Sequence, residues 1–150
     1  MRNMQKAQLV NAVSQVWTPD QLAGQCIAVN MKCLDTAKNI FEGDIELVLG
    51  RVIISEDEIF SFEPDVVRHH HGDDRPRVNV HCWLRCPSDE FIIDLTLVPT
   101  LRDKNGFDDS FIPEGYVFLS GRSGEQLGIS HVAVLSGQAA YDYVHAHFVR

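Results

Sequence analysis

The sequence predicts an α+β fold: a central N-terminal helix packed on an antiparallel β-sheet. Three observations carry that expectation. Helical spacing of apolar residues dominates residues 3–41. Strand-like runs follow without the helix alternation of a parallel sheet. Residues 78–97, VNVHCWLRCPSDEFIIDLTL, read as a hairpin with one apolar and one polar face. The 150 residues suit one domain over 1–150, and 45% hydrophobic with 23% charged residues is enough for a proper core.

Met4, Ala7, Val10, Val13 and Trp17 recur at three- and four-residue spacing, which predicts an amphipathic helix over 3–17. TPDQ follows at 18–21. Thr18 at the cap, Pro19 at the first helical position and Gln21 at the third form a capping-box pattern for a short helix, which Gly24 weakens. GQCIAVNMKCLDTAKNIFEG is the longest helix. Ile27, Met31, Leu34 and Phe41 share one side, beside Cys26, Cys33, Ala37 and Ile40, and Gly43 supplies the stop. Residues 45–55 and 58–63 read as strands, and 64–77 as a polar loop. After the hairpin, residues 99–114 are expected to be irregular, with Pro99, Gly106 and Pro113. YVFLS and ISHVAVL are further strands. GQAAYDYVHAHFVR closes as a helix with Ser136 as N-cap.

The net charge is −8. Nucleic-acid affinity rests on Lys and Arg neutralising phosphates, so this balance speaks against nucleic acid, and against an anionic membrane, as partner. No apolar run approaches the roughly 18 residues of a membrane span. The first 17 residues lack the apolar core and cleavage site of a secretory signal. Cytoplasmic residence is therefore expected, or export as an effector by a route that needs no such signal. Cys26, Cys33, Cys82 and Cys86 contain no C-x-x-C pair, which removes zinc-ribbon and thioredoxin patterns and leaves free thiols.

With residues 86–89 as a four-residue connection, Arg85 faces Glu90, Trp83 faces Ile92, and His81 faces Asp94. Leu84, Cys82 and Val80 then share the apolar face with Phe91, Ile93 and Leu95. A one-residue slip mixes the faces; a two-residue slip keeps them. In the first register the Asp94 carboxylate accepts from His81 Nδ1–H and aims Nε2 outward, which is the orienting half of a nucleophilic triad. Cys26 is the natural third member. It opens a helix, where unpaired N–H groups favour a thiolate and can hold an oxyanion. Cys33 lies two turns further in, Cys82 points to the apolar face, and Cys86 falls in the turn.

GQC opening a helix, then HCWL, then IIDLT resembles the transglutaminase-like branch of the papain-like cysteine-enzyme superfamily. The order Cys26, His81, Asp94 and the short His-to-Asp spacing match, with Trp83 and Thr96 in neighbouring positions. The match covers residues 21–41 and 78–97. Cys82 stands where Ala is common and Leu95 where Pro is common. The resemblance implies a papain-like or transglutaminase-like core and a thiol-dependent hydrolase or acyltransferase. Its substrate would be an amide: a peptide, a glutamine side chain or a small acyl amide. It further implies Gln21 as oxyanion donor, because superfamily members often place a Gln shortly before the Cys. Gln25 and Trp83 are cleft candidates. No cofactor is expected, and the sequence leaves the oligomeric state open. Arylamine N-acetyltransferases share the triad order, but this chain is short for their build.

The rival expectation is a non-catalytic binding protein on the same scaffold. RHHHGDD places His69, His70 and His71 in one loop, a weak metal-binding pattern, since adjacent histidines do not easily reach one ion. His131 reads as a strand residue with a satisfied hydrogen bond, and His145 and His147 as surface or partner-contact residues of the closing helix.

Overall fold

The computed structural model describes residues 2–42, 45–60, 62, 68–69, 76–77, 80–87, 91–103, 119–121 and 128–148. Among these, helices and an antiparallel sheet form an α+β arrangement. Helix α1 (Arg2–Ser14) is shorter than its pattern predicts; Val10, Val13 and Trp17 of the predicted line pack on the core, and its first members do not. Leu9 and Val13, four residues apart, are buried, whereas Met4 is 72% exposed. Helix α2 (Pro19–Leu22) forms where TPDQ predicts it. The Thr18 N–H donates to Gln21 Oε1 at 2.8 Å, the return bond of a capping box. Gly24, at φ 72°, turns the chain into α3 (Cys26–Ile40).

Helix α3 buries Val29, Cys33, Leu34 and Ala37. After it the chain passes through Glu42 at φ 60°, and Gly43, the expected stop, lies outside the described residues. Strand β1 (Glu46–Ile54) turns through Ser55 and Glu56 into β2 (Asp57–Phe60). Ile54 pairs with Asp57, so this is a two-residue hairpin, and both turn residues have positive φ, 48° and 75°. Within the expected loop 64–77, β3 (Arg68–His69) and β4 (Pro76–Arg77) pair in a small ladder.

Strands β5 (His81–Cys86) and β6 (Phe91–Asp94) form the expected hairpin in the slipped register. Cys86 pairs with Phe91, Arg85 with Ile92 and Leu84 with Ile93, so the connection is 87–90 and not 86–89. Both registers keep the faces and the connection length, so alternation does not separate them. Cys86 is thus a buried strand residue, not a turn residue. The second strand is also shorter than predicted. It ends at Asp94, and α4 (Leu97–Asp103) begins three residues later, at the expected end of that strand, and runs into the stretch expected to be irregular. Pro99 sits in the first turn of α4, where a missing N–H breaks no helical hydrogen bond. Strands β7 (Leu119–Gly121) and β8 (Ile129–Ser136) and helix α5 (Gln138–His147) follow. The N-cap of α5 is Gly137, at φ 63°, and not Ser136, which ends β8.

The sheet runs β2-β1-β5-β6-β7, with β8 also paired to β1. β5 takes Glu46 to Gly50 on one edge of β1, β2 takes the end of that edge, and β8 occupies the other. One face carries Leu47, Leu49, Cys82, Leu84 and Ile93, which pack with residues of α1, α3 and α5. The other face carries Val52, Ile54 and Ile129, which pack with Leu97, Val98 and Leu101 of α4. The link between α2 and α3 passes from one layer to the other: Gly24 N–H donates to Thr100 Oγ1 of α4 at 2.8 Å. Cys26 therefore starts α3 at the end of the sheet where β5 begins.

Candidate active site

His81 is the first residue of β5 and Asp94 the last of β6. In the observed register they are diagonal neighbours, not opposite ones. Their contact is correspondingly different from expectation. His81 Nε2, not Nδ1, lies 2.7 Å from Asp94 Oδ2. Nδ1 is buried without a hydrogen-bond partner and is the nitrogen left for the thiol. Cys26 is close enough to raise the affinity of His81 for its proton. The Cys26 Sγ–H is directed at the Val80 carbonyl oxygen, 3.9 Å away.

Sequence reasoning missed the role of His131. Its Nε2 also lies 2.7 Å from Asp94 Oδ2. A flat sheet would put β8 and β6, three strand spacings apart, about 14 Å from one another. The two side chains meet because the sheet curls toward α4. Gly50 permits that curl. It pairs with His81, and a Cβ there would stand 2.1 Å from the Val132 carbonyl oxygen and 2.7 Å from Trp83 Cη2. The Asp94 carboxylate is fully used: Oδ1 accepts the N–H groups of Thr96 and Leu97 at 3.2 and 3.0 Å, capping α4.

The electrostatics follow from this enclosure. Burial alone would push the His81 imidazole toward its neutral form. The Asp94 charge and hydrogen bond, with Cys26, outweigh it and raise the pKa from 6.5 to about 10. Burial would likewise raise Asp94, but His81 and His131 hold its carboxyl well below the usual carboxylate range. At neutral pH the pair is an imidazolium–carboxylate. Cys33 is pushed up to about 11, chiefly by burial, and Cys82 is pushed up by burial and by Cys26 and Asp94. Both behave as packing residues.

Asn30, one turn beyond Cys26 and fully buried, is a second residue the sequence did not single out. Its Nδ2 donates to the Cys26 carbonyl at 2.6 Å and to the Cys82 carbonyl at 3.0 Å, tying the start of α3 to β5. Trp83, expected at the cleft surface, is only 1% exposed and forms a wall. It meets His131 edge-on at 4.9 Å, while Phe60 stacks on His81 at 4.9 Å. Gln21 is drawn into the α2 capping box and does not line the cavity beside Cys26, whereas Gln25 does. That cavity, about 470 Å³, lies among the first turns of α3, Val80, and the end of α5. His145 and His147 lie on α5 as expected, against Tyr141 and Tyr143.

His81, Asp94 and His131 offer three possible metal ligands within 4.8 Å of one another. Their 2.7 Å N–O separations are hydrogen-bond distances. Ligands about a tetrahedral zinc, with bonds of about 2.1 Å, stand roughly 3.4 Å apart, so an ion would have to open the cluster. Of the histidine loop, His69 lies in β3, and His70 and His71 are outside the described residues. No helix among the described residues is long and apolar enough to cross a membrane. Set against protein-family models, curated proteins and solved structures, the chain matches none of them.

Proposed function

We propose that the chain is a thiol-dependent hydrolase or acyltransferase acting on amides, on a papain-like or transglutaminase-like core, with Cys26 as nucleophile, His81 as acid and base, and Asp94 as positioning residue. One observation carries the reading: a helix-opening thiol on a cavity wall interacts with an imidazole whose other nitrogen is held by a buried carboxylate at 2.7 Å. The imidazolium supplies the countercharge a thiolate needs.

In this mechanism Cys26 Sγ attacks the amide carbonyl carbon, forming a C–S bond and an oxyanion. The first N–H groups of a helix have no acceptor within it, and those of Cys26 and Ile27 are the nearest donors for that charge. The C–N bond then breaks, and the His81 Nδ1 proton goes to the leaving amine. Water or an acceptor amine attacks the thioester and gives a proton to His81, and the C–S bond breaks to restore the thiolate.

The test is iodoacetamide labelling near neutral pH, read by peptide mass. Cys26 is expected to react faster than a free-solution thiol, Cys26→Ala to lose that label, and His81→Ala to slow it. Labelling of Cys26 no faster than N-acetylcysteine, in a folded sample, removes the main support. The enclosure of His81, 1% exposed, favours a second reading: a binding protein in which this polar cluster only holds the sheet together. In that case His81→Ala changes stability and leaves the Cys26 labelling rate untouched.

A further inference from the structure

The cavity beside Cys26 has a property that thiol chemistry alone does not require. Among the described residues that line it, the thiol alone can ionise. Its walls are two apolar ridges. Ile27 and Met31 are four residues apart on α3, and Val144 and Phe148 are four apart on and just beyond α5. Residues with that spacing share a helix face. Val80 closes the side next to His81. The thiol thus stands at the end of a half-buried apolar slot. A charged group seated between these ridges would lose water and meet no charged side chain among the described lining residues. The volume, about 470 Å³, is that of a small-ligand pocket. At its mouth the Gln25 side chain makes no capping hydrogen bond, which leaves its amide for a polar atom of the substrate.

We propose that this slot is the acyl pocket of the thiol site, and that the substrate presents an uncharged apolar acyl group, medium-chain or aromatic, at the scissile carbonyl. The proposal rests on the thiol reading above and narrows it from amides in general to those with apolar acyl groups.

The test uses the full chain and the p-nitrophenyl esters of acetate, butyrate, hexanoate and succinate, the last leaving a free carboxylate. Nitrophenolate release gives the rate, intact and peptide mass locate the acyl group, and N-acetylcysteine corrects for intrinsic ester reactivity. Acylation of Cys26 is expected to accelerate about fourfold per methylene, the factor that burying one methylene supplies. Hexanoate should exceed acetate by roughly two orders of magnitude, and succinate should be slowest. Ala28→Glu places a carboxylate on the cavity wall at an exposed site in the first turn of α3, where the helix tolerates it. That variant should flatten the chain-length series. Cys26 acylated at equal rates by all esters, or fastest by succinate, overturns the apolar pocket and leaves the thiol reading standing. A full chain-length slope retained in Ala28→Glu also overturns it. A folded protein in which no ester acylates Cys26 overturns both.

Discussion

Replacing Asp94 with Asn removes one charge and changes almost no volume. The consequences can be worked atom by atom. Oδ1 must still accept from Thr96 and Leu97, so the new amide turns its NH2 toward the two imidazoles. An NH2 donates and does not accept, so His81 Nε2 must lose its proton to receive it. The neutral imidazole then carries its proton on Nδ1, facing the thiol, and has no site there to take one. The energy scale follows from the imidazole. Raising it from 6.5 to about 10 corresponds to about 5 kcal/mol in favour of the protonated form, and breaking a buried charge pair costs roughly 3–5 kcal/mol. The sign is set by both partners. His81, raised on folding, stabilises fully below pH 6.5, and that contribution is lost as pH climbs through about 10. Asp94, depressed on folding, stabilises above about 3.8 and loses its contribution as pH falls below that. Asp94→Asn should therefore cost most between about pH 4 and 6.5, and progressively less toward pH 10. Urea unfolding at several pH values measures the cost, and imidazole NMR follows His81. Its midpoint should drop from about 10 toward or below 6.5, where only Cys26 still opposes burial. An unchanged midpoint, or a cost independent of pH, would refute the electrostatic reasoning.

Two other substitutions test the scaffold. Gly50→Ala forces the Val132 backbone and the Trp83 indole apart, and should destabilise by about 1–3 kcal/mol or more, with slower Cys26 labelling because Trp83 backs the histidines. Denaturant midpoints and iodoacetamide rates report both effects. Glu56→Gly relieves a side chain held at φ 75° in the β1–β2 turn, and should raise stability by about 1 kcal/mol, read as a higher urea midpoint with unchanged slope.

How much of this was legible in the sequence depends on the range over which each signal acts. Local signals read well: the Thr18–Gln21 box, the long helix from Cys26, and the strands with their in-and-out alternation. The register of the β5–β6 hairpin did not, because two pairings satisfy alternation and loop length equally. That slip also reversed which nitrogen of His81 meets Asp94. Helix α4 was hidden by Pro99, a breaker in a helix interior that is harmless in a first turn. His131 was beyond local reach altogether. It comes from the far side of β1 and meets Asp94 only because the sheet curls, and nothing in SHVAV announces that curl. Gly50 was the available hint, since a glycine inside a strand marks close backbone approach.

The two oxygens of Asp94 bind different things, and this links events that are usually separate. One oxygen fastens the first turn of α4; the other fastens two histidines. Fraying of α4 and release of the imidazole are thus one motion. Heat, denaturant or a substitution that loosens Leu97, Val98 or Leu101 would silence the thiol before the rest of the sheet opens. Loss of reactivity at Cys26 would then report the local stability of a helix on the opposite side of the sheet.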